Sequence, residues 1–155
     1  MSELIERICK RIEQRNLDRQ FVMAKREVGI NSGDILWTTL AERINEEIEQ
    51  LGKLAPTFRY TVEGSKSSKI TIHAGTIPRT TLILERIPSG VKSKIESISH
   101  GLATTKTIEE CAWFFWADDQ LKPCLTDYET EYAMDTLIEM ILNAFIGEWM
   151  RLEGL

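Results

Sequence analysis

Residues 126–152 read TDYETEYAMDTLIEMILNAFIGEWMRL, and this stretch decides how the rest of the chain must be arranged. Thr126 followed three residues later by Glu129 is the capping-box pattern that begins many helices. Apolar residues then recur at steps of three and four, which places them on one broad side of a helix. They are Met134, Leu137, Ile138, Ile141, Leu142, Phe145, Ile146, Trp149 and Leu152. The stretch predicts one long helix over residues 126–152, whose apolar face a sheet, another helix or a second chain must cover.

The first third of the chain is also predicted to be helical. In residues 2–28 one group of apolar side chains shares a side of the helix. These are Leu4, Ile5, Ile8 and Ile12. Asn16 and Asp18 favour caps over helix interiors, so a break into two helices near this point is one alternative. A second helix is predicted over residues 34–51, with Gly52 at its end.

Between residues 56 and 125 the apolar period changes to two, which is the period of β-strands. Phe58, Tyr60 and Val62 alternate with polar residues, and residues 80–87 are rich in β-branched side chains. Residues 91–99 alternate less regularly, which indicates a bulge or a short helix. Pro123 has no amide hydrogen to donate, so the last strand, within residues 121–125, is expected at a sheet edge.

Residues 111–117, CAWFFWA, are apolar at every position. On a strand, Trp113 and Phe115 point to one face, while Phe114 and Trp116 point to the other. A strand that is apolar on both faces is typical of a central strand covered on both sides, or of one that lines an interface.

These segments predict an α+β fold with N-terminal helices, an antiparallel β-meander of about five or six strands and a long C-terminal helix packed on the sheet. We expect a single domain over residues 1–155, because no linker interrupts the pattern. Its helical part covers residues 1–52, its sheet residues 56–125 and its C-terminal helix residues 126–152.

Composition indicates a cytoplasmic protein that does not enter a membrane. Hydrophobic residues make up 43% and charged residues 28% of the 155 residues, as in ordinary globular domains. No apolar run approaches the roughly 20 residues that span a bilayer, and the N-terminus has no apolar core of a secretory signal. Cys9, Cys111 and Cys124 are expected to be reduced thiols, with a Cys111–Cys124 disulfide as the alternative.

Catalytic and metal-binding patterns are weak throughout the sequence. His73 and His100 are the two histidines, and neither lies in a known catalytic context. Paired short spacings of His and Cys, which zinc sites require, are absent, as are glycine-rich loops for phosphates. We therefore predict neither a metal nor a cofactor, and the sequence leans towards a protein that is not an enzyme.

Two groups of residues are candidates for binding. The first is a set of aromatic side chains that would form the core, line a cavity between sheet and C-terminal helix for a small apolar ligand, or form a partner surface. It comprises Trp113, Phe115, Trp116, Tyr132, Phe145 and Trp149. The second is a set of basic residues on the predicted sheet. It comprises Arg59, Lys69, Arg86, Lys92 and Lys94.

Charge is unevenly distributed along the chain, which bears on these candidates. The formal net charge is −5, but residues 53–108 carry nine Lys or Arg and three Asp or Glu, whereas residues 109–155 carry two and eleven. The charge of the whole chain argues against nonspecific binding of nucleic acid, while the basic segment leaves nucleic acid or another polyanion open as an alternative that is not favoured. The lack of interleaved aromatic residues argues against single-strand binding. The first expectation remains an interaction module that associates with itself or another protein through apolar helix or sheet surface.

Overall fold

The computed structural model describes residues 2–64, 68–101 and 104–155. In these ranges three helices flank a sheet, and the predicted α+β class with the C-terminal helix on the sheet is confirmed. The helices are α1 (Glu3–Asn31), α2 (Gly33–Leu54) and α3 (Met134–Glu153). The strands are β1 (Tyr60–Glu63), β2 (Lys69–Gly75), β3 (Arg79–Ile87), β4 (Gly90–Ile98), β5 (Lys106–Ala117), β6 (Pro123–Thr126) and β7 (Glu131–Tyr132).

The seven described strands form one antiparallel meander in which each strand pairs with the next in the chain. Ile72 of β2 stands opposite Leu82 of β3, which in turn stands opposite Ile95 of β4. Apolar side chains of neighbouring strands therefore fall on the same face. The register of β4 against β5 shifts between Ile95 and Glu96, where β5 carries the extra residue Ile108. Strand β4 pairs with β3 without a shift and alternates regularly, so neither the bulge nor the short helix predicted within residues 91–99 is found there.

The predicted start of the C-terminal helix at Thr126 is wrong. Glu131 and Tyr132, which were predicted to be helical, form strand β7. Thr126 ends β6 instead of capping a helix, and α3 begins at Met134 after Ala133. The Thr126 hydroxyl donates to the carbonyl of Thr130 at 2.8 Å and accepts from the amide of Tyr128 at 3.2 Å. A threonine hydroxyl holds turns as readily as caps, so the local pattern did not distinguish the two.

Helices α2 and α3 cover one face of the sheet and form a single hydrophobic core with it. Leu137 and Phe145 of α3 and Leu40 and Ile44 of α2 are fully buried in this core. The strands supply the facing layer, which is also buried. It comprises Ile70, Ile72, Leu82, Leu84, Val91, Ile95, Trp113 and Phe115. The broad apolar face of the C-terminal helix is thus covered mainly by the sheet and by α2.

Helix α1 is continuous through residues 16–18, where the sequence offered a break. Asp18 lies on its surface and accepts a hydrogen bond from the Gln14 side chain at 2.9 Å, one turn earlier. The last turns of α1 lie against β5 and β6 on the face opposite α2 and α3. Lys25 there reaches Glu131, and Gly29 lies directly on the backbone of Trp116.

Gly29 provides a test of this contact, because a Cβ atom there would overlap the backbone of Trp116. We expect Gly29→Ala to lower the free energy of unfolding by about 1–3 kcal/mol, the usual cost of overpacking, in urea denaturation. Gly147→Ala in α3 is the matched control, since no neighbouring atom lies within 4 Å of its Cβ position. There alanine should raise stability by about 0.5–1 kcal/mol through helix propensity. Equal effects at both sites would contradict this account of Gly29.

Candidate functional site

Most of α1 has no partner in this chain. Residues 2–23 are exposed without exception. The apolar stripe, which we define as Leu4, Ile5, Ile8 and Ile12, shows exposed fractions of 60%, 47%, 47% and 53%. Among the described residues, no side chain of α1 belongs to the hydrophobic core. The first six turns of α1 therefore present apolar surface to solvent.

The far end of α1 is held to the sheet through Lys25 and Gly29, which are its buried residues. The Lys25 ammonium donates to Asp119 at 2.6 Å and lies 3.7 Å from Glu131. It also lies 4.9 Å from the centre of the Phe21 ring. The hydrogen bond to Asp119 raises the pKa of the Lys25 amine above its usual value, so the amine stays charged in this nearly buried position.

Charged residues border the apolar stripe in an ordered way. Leu4, Ile8 and Ile12 form a row at four-residue steps along α1. A row of arginines lies beside it at the same steps, three residues further along the chain. It consists of Arg7, Arg11 and Arg15. The other border carries Cys9 and Glu13, so one side of the stripe is basic and the other is not.

An open groove of about 400 Å³ lies between α2 and α3 on the outside of the molecule. Its floor is Ile48 and Ile138, which are buried, and its walls include the partly buried Leu142 and Ile146. Its charged rim consists of Arg43, Glu47, Asp135 and Glu139. Arg43 pairs with Asp135 across the groove, which ties the two helices together at this point.

The structure places four of the six predicted aromatic site residues in the core. Trp113, Phe115, Phe145 and Trp149 are all less than one-tenth exposed. Phe145 and Trp149 both pack edge to face on Phe58, and their ring centres lie 6.5 Å and 5.0 Å, respectively, from the centre of the Phe58 ring. These four rings are therefore part of the hydrophobic core.

The other two aromatic residues are partly buried and lie apart from that group. Trp116 is on the face opposite α3 and, with Lys25, lines a separate pocket of about 250 Å³. Tyr132 lies in β7, where its hydroxyl donates to Asp127 at 2.8 Å. This bond lowers the pKa of the Asp127 carboxyl and raises that of the Tyr132 phenol. Tyr132 therefore closes the turn that joins β6 to β7.

A third cavity, of about 280 Å³, lies between α3 and strands β4 and β5, where a ligand site was predicted. Its lining is mostly apolar and includes Ile95, Trp113 and Met140, with the Cys111 thiol among them. The volume is just below the range of roughly 300–1,000 Å³ typical of small-molecule pockets. A ligand in this cavity stays a prediction.

The five predicted anion-binding residues do not form one basic surface. Glu85 of β3 stands directly between Lys69 of β2 and Lys92 of β4 on the open face of the sheet. Lys94 pairs with Glu96 at 3.1 Å, a bond that raises the pKa of its amine. Each lysine thus has a carboxylate beside it, because the strand register mixes the two charges.

The two arginines of that group lie elsewhere. Arg86 pairs with Asp34 at the start of α2, and its guanidinium carbon lies 5.7 Å from the centre of the Phe115 ring. Arg59 is exposed just before β1. Neither extends the lysines of the open face into a patch that would follow a phosphate backbone.

All three cysteines are free thiols, so the alternative of a Cys111–Cys124 disulfide is not found. Cys111 faces the α3 side of β5, while Cys124 pairs with Trp116 and faces the other side. Burial is the main cause that raises the pKa of both thiols to about 11. In the described ranges, no group of three His, Cys, Asp or Glu side chains is placed to hold a metal ion. No described helix is both long and apolar enough to cross a bilayer.

Comparison of the chain with protein-family models, curated proteins and solved structures gives no match. Its own geometry therefore carries the functional argument. The sequence indicates the apolar stripe of α1 as one side of a helix but not as a binding site, and it gives no indication of the groove between α2 and α3. The four-residue spacing of Arg7, Arg11 and Arg15 is the sequence signal that points to an ordered surface on α1.

The thiol pKa values give a test of the site description. At pH 8 a pKa of about 11 leaves roughly one thiolate in a thousand, so Cys111 and Cys124 should react very slowly with iodoacetamide. Cys9, which is exposed on α1, should be labelled first, as peptide mass spectrometry would reveal. In urea all three thiols should react at similar rates. Folded-state labelling of Cys111 or Cys124 as fast as in urea would contradict the burial described here.

Proposed function

We propose that this protein is an interaction module that associates with a second copy of itself through the apolar stripe of α1. The observation that carries the proposal is the exposure of residues 2–23, on a helix whose apolar residues contribute nothing to the core. Contiguous exposed apolar surface on a folded chain usually marks an interaction site. Leu4, Ile5, Ile8 and Ile12 supply such surface.

Helix physics supports a partner for this segment. In proteins most of the stability of a helix comes from packing its apolar face, and residues 2–23 of α1 pack theirs on nothing in this chain. Full burial of a Leu or Ile side chain contributes about 1.5–3 kcal/mol, and only about half of each residue of the stripe is still exposed. Burial of the four residues therefore offers roughly 3–6 kcal/mol before the costs of association. A second copy of the chain would both use and stabilise the exposed turns.

The layout of α1 favours a protein partner over a lipid surface. The apolar stripe ends after Ile12, since Arg15 and Arg19 occupy the same side seven residues after Ile8 and Ile12. Helices that lie in a membrane interface keep Trp, Phe or Leu on one face and Lys or Arg on the other, whereas α1 places Arg15 and Arg19 on its apolar side. The stripe of α1 covers about 13 Å of helix, which suits a local contact with another helix.

The proposal is tested by charge in the stripe. Sedimentation equilibrium over the micromolar range should show concentration-dependent association of the unmodified protein. The double variant Ile8→Asp with Ile12→Asp should remain monomeric at the same concentrations, because it would bury two carboxylates in the contact. Circular dichroism should show that α2, α3 and the sheet remain folded, since neither residue touches the core.

The matched control is Leu17→Asp. Leu17 is also exposed on α1, by 59%, but it lies on the other side of the helix from the stripe. It introduces one aspartate on the same helix, outside the stripe, and association should be retained. A protein that stays monomeric throughout the concentration range, or a loss of association that is equal in all variants, would overturn the proposal.

A further inference from the structure

The groove between α2 and α3 carries a surface that matches the stripe of α1. On α3, Ile138, Leu142 and Ile146 form an apolar row at four-residue steps. A polar row lies beside it at the same steps. It consists of Asp135, Glu139 and Asn143. This is the arrangement seen on α1, with the opposite sign of charge.

The order of the two rows determines how two such helices would meet. On α1 the arginine row follows the apolar row by three residues, whereas on α3 the acidic row precedes it by three. In a parallel pair of helices, the row on one flank of the first helix's apolar face meets the row on the opposite flank of the second helix's apolar face. Arg7 and Arg11 would then lie beside Asp135 and Glu139.

Charge over whole helices agrees with this match. Helix α1 carries seven Lys or Arg and five Asp or Glu. Helix α2 carries two and five, and α3 carries one and four. The exposed helix is therefore basic and both walls of the groove are acidic. Opposite charge at the rim of a contact guides the choice and register of a partner.

Pairing of α1 with α1 of another copy is less favourable. In an antiparallel pair, the row of Arg7, Arg11 and Arg15 would face the same row of the second copy. In a parallel pair, Arg15 and Arg19 would face their own copies across the seam beyond Ile12. Like charges meet in both arrangements, whereas the rim of the groove carries three carboxylates against one arginine, Arg43, which already pairs with Asp135.

The groove of the same chain is not available to the stripe. The last turns of α1 are fixed on the open face of the sheet by Gly29 and Lys25, while the groove lies beyond the helices that cover the other face. Since α1 is one continuous helix, its first turns cannot fold back around the sheet, and residues 2–23 are accordingly exposed.

We propose that the apolar stripe of α1 docks in the α2–α3 groove of a second copy, with the row of Arg7, Arg11 and Arg15 beside Asp135 and Glu139. This inference rests on the self-association proposed above and names the surface that receives α1. The contact joins two different surfaces, so a reciprocal pair of contacts closes a dimer and a single contact leaves a free helix and a free groove.

Mixing of two variants tests the docking. The helix variant, Ile8→Asp with Ile12→Asp, keeps the groove, and a groove variant, Glu139→Arg with Leu142→Lys, keeps α1. Each alone should associate at least about tenfold more weakly than the unmodified protein. An equimolar mixture should regain association, because the intact α1 of one chain meets the intact groove of the other.

The outcomes separate this inference from the proposed function. A groove variant that associates as strongly as the unmodified protein, beside a monomeric helix variant, would overturn docking in the groove while self-association through α1 stands. A helix variant that still associates would overturn the proposed function itself. A mixture that regains nothing, although both variants are folded and weakened, would also overturn docking.

A charge exchange provides a second test that leaves the core untouched, because Arg11 and Glu139 are both exposed. Arg11→Glu and Glu139→Arg should each weaken association, and the chain that carries both substitutions should recover most of it. Equal melting temperatures of the three variants would show that the fold is intact. If association of the double variant were weakened by the sum of the two single effects, Arg11 and Glu139 would not pair.

Discussion

The packing of α2 and α3 on one face of the meander is the interaction on which the rest of the structure depends. Leu40 and Ile44 of α2 and Leu137 and Phe145 of α3 are fully buried against the strands of this face. Helix α1 meets the opposite face, near the end of β5. Its exposed stripe follows from this division of the two faces.

Much of this fold follows from the periodicity of the sequence, and the exceptions have a common cause. The spacing of Leu137, Ile141 and Phe145 correctly predicts the buried side of α3, and the alternation around Trp113 correctly predicts the two faces of β5. The prediction that α3 begins at Thr126 was wrong because Thr126 lies in β6 and pairs with Glu131 of β7. That pairing depends on β7, and a local pattern carries no information about a strand that is formed by only two residues.

The candidate site was harder to predict for a related reason. Ile8 and Ile12 of α1 show the same spacing as Ile44 and Ile48 of α2, yet the first pair is exposed and the second is buried. Period reveals which side of a helix is apolar, but what covers that side depends on tertiary structure. Charge behaves similarly: the excess of Lys and Arg in residues 53–108 suggested a basic face, which Glu85 interrupts once the strands are paired.

The way in which α1 is attached gives its exposed stripe a further property. Gly29 lies on the backbone of Trp116, and Lys25 binds Asp119, so these two contacts fix the end of α1 to the sheet. A helix fixed at one end presents its side chains in one direction, which reduces the ordering that association requires. The tight contact at Gly29 and the open surface at Ile8 are therefore complementary features of one helix. The first sets the direction of α1, and the second is what that direction presents to another chain.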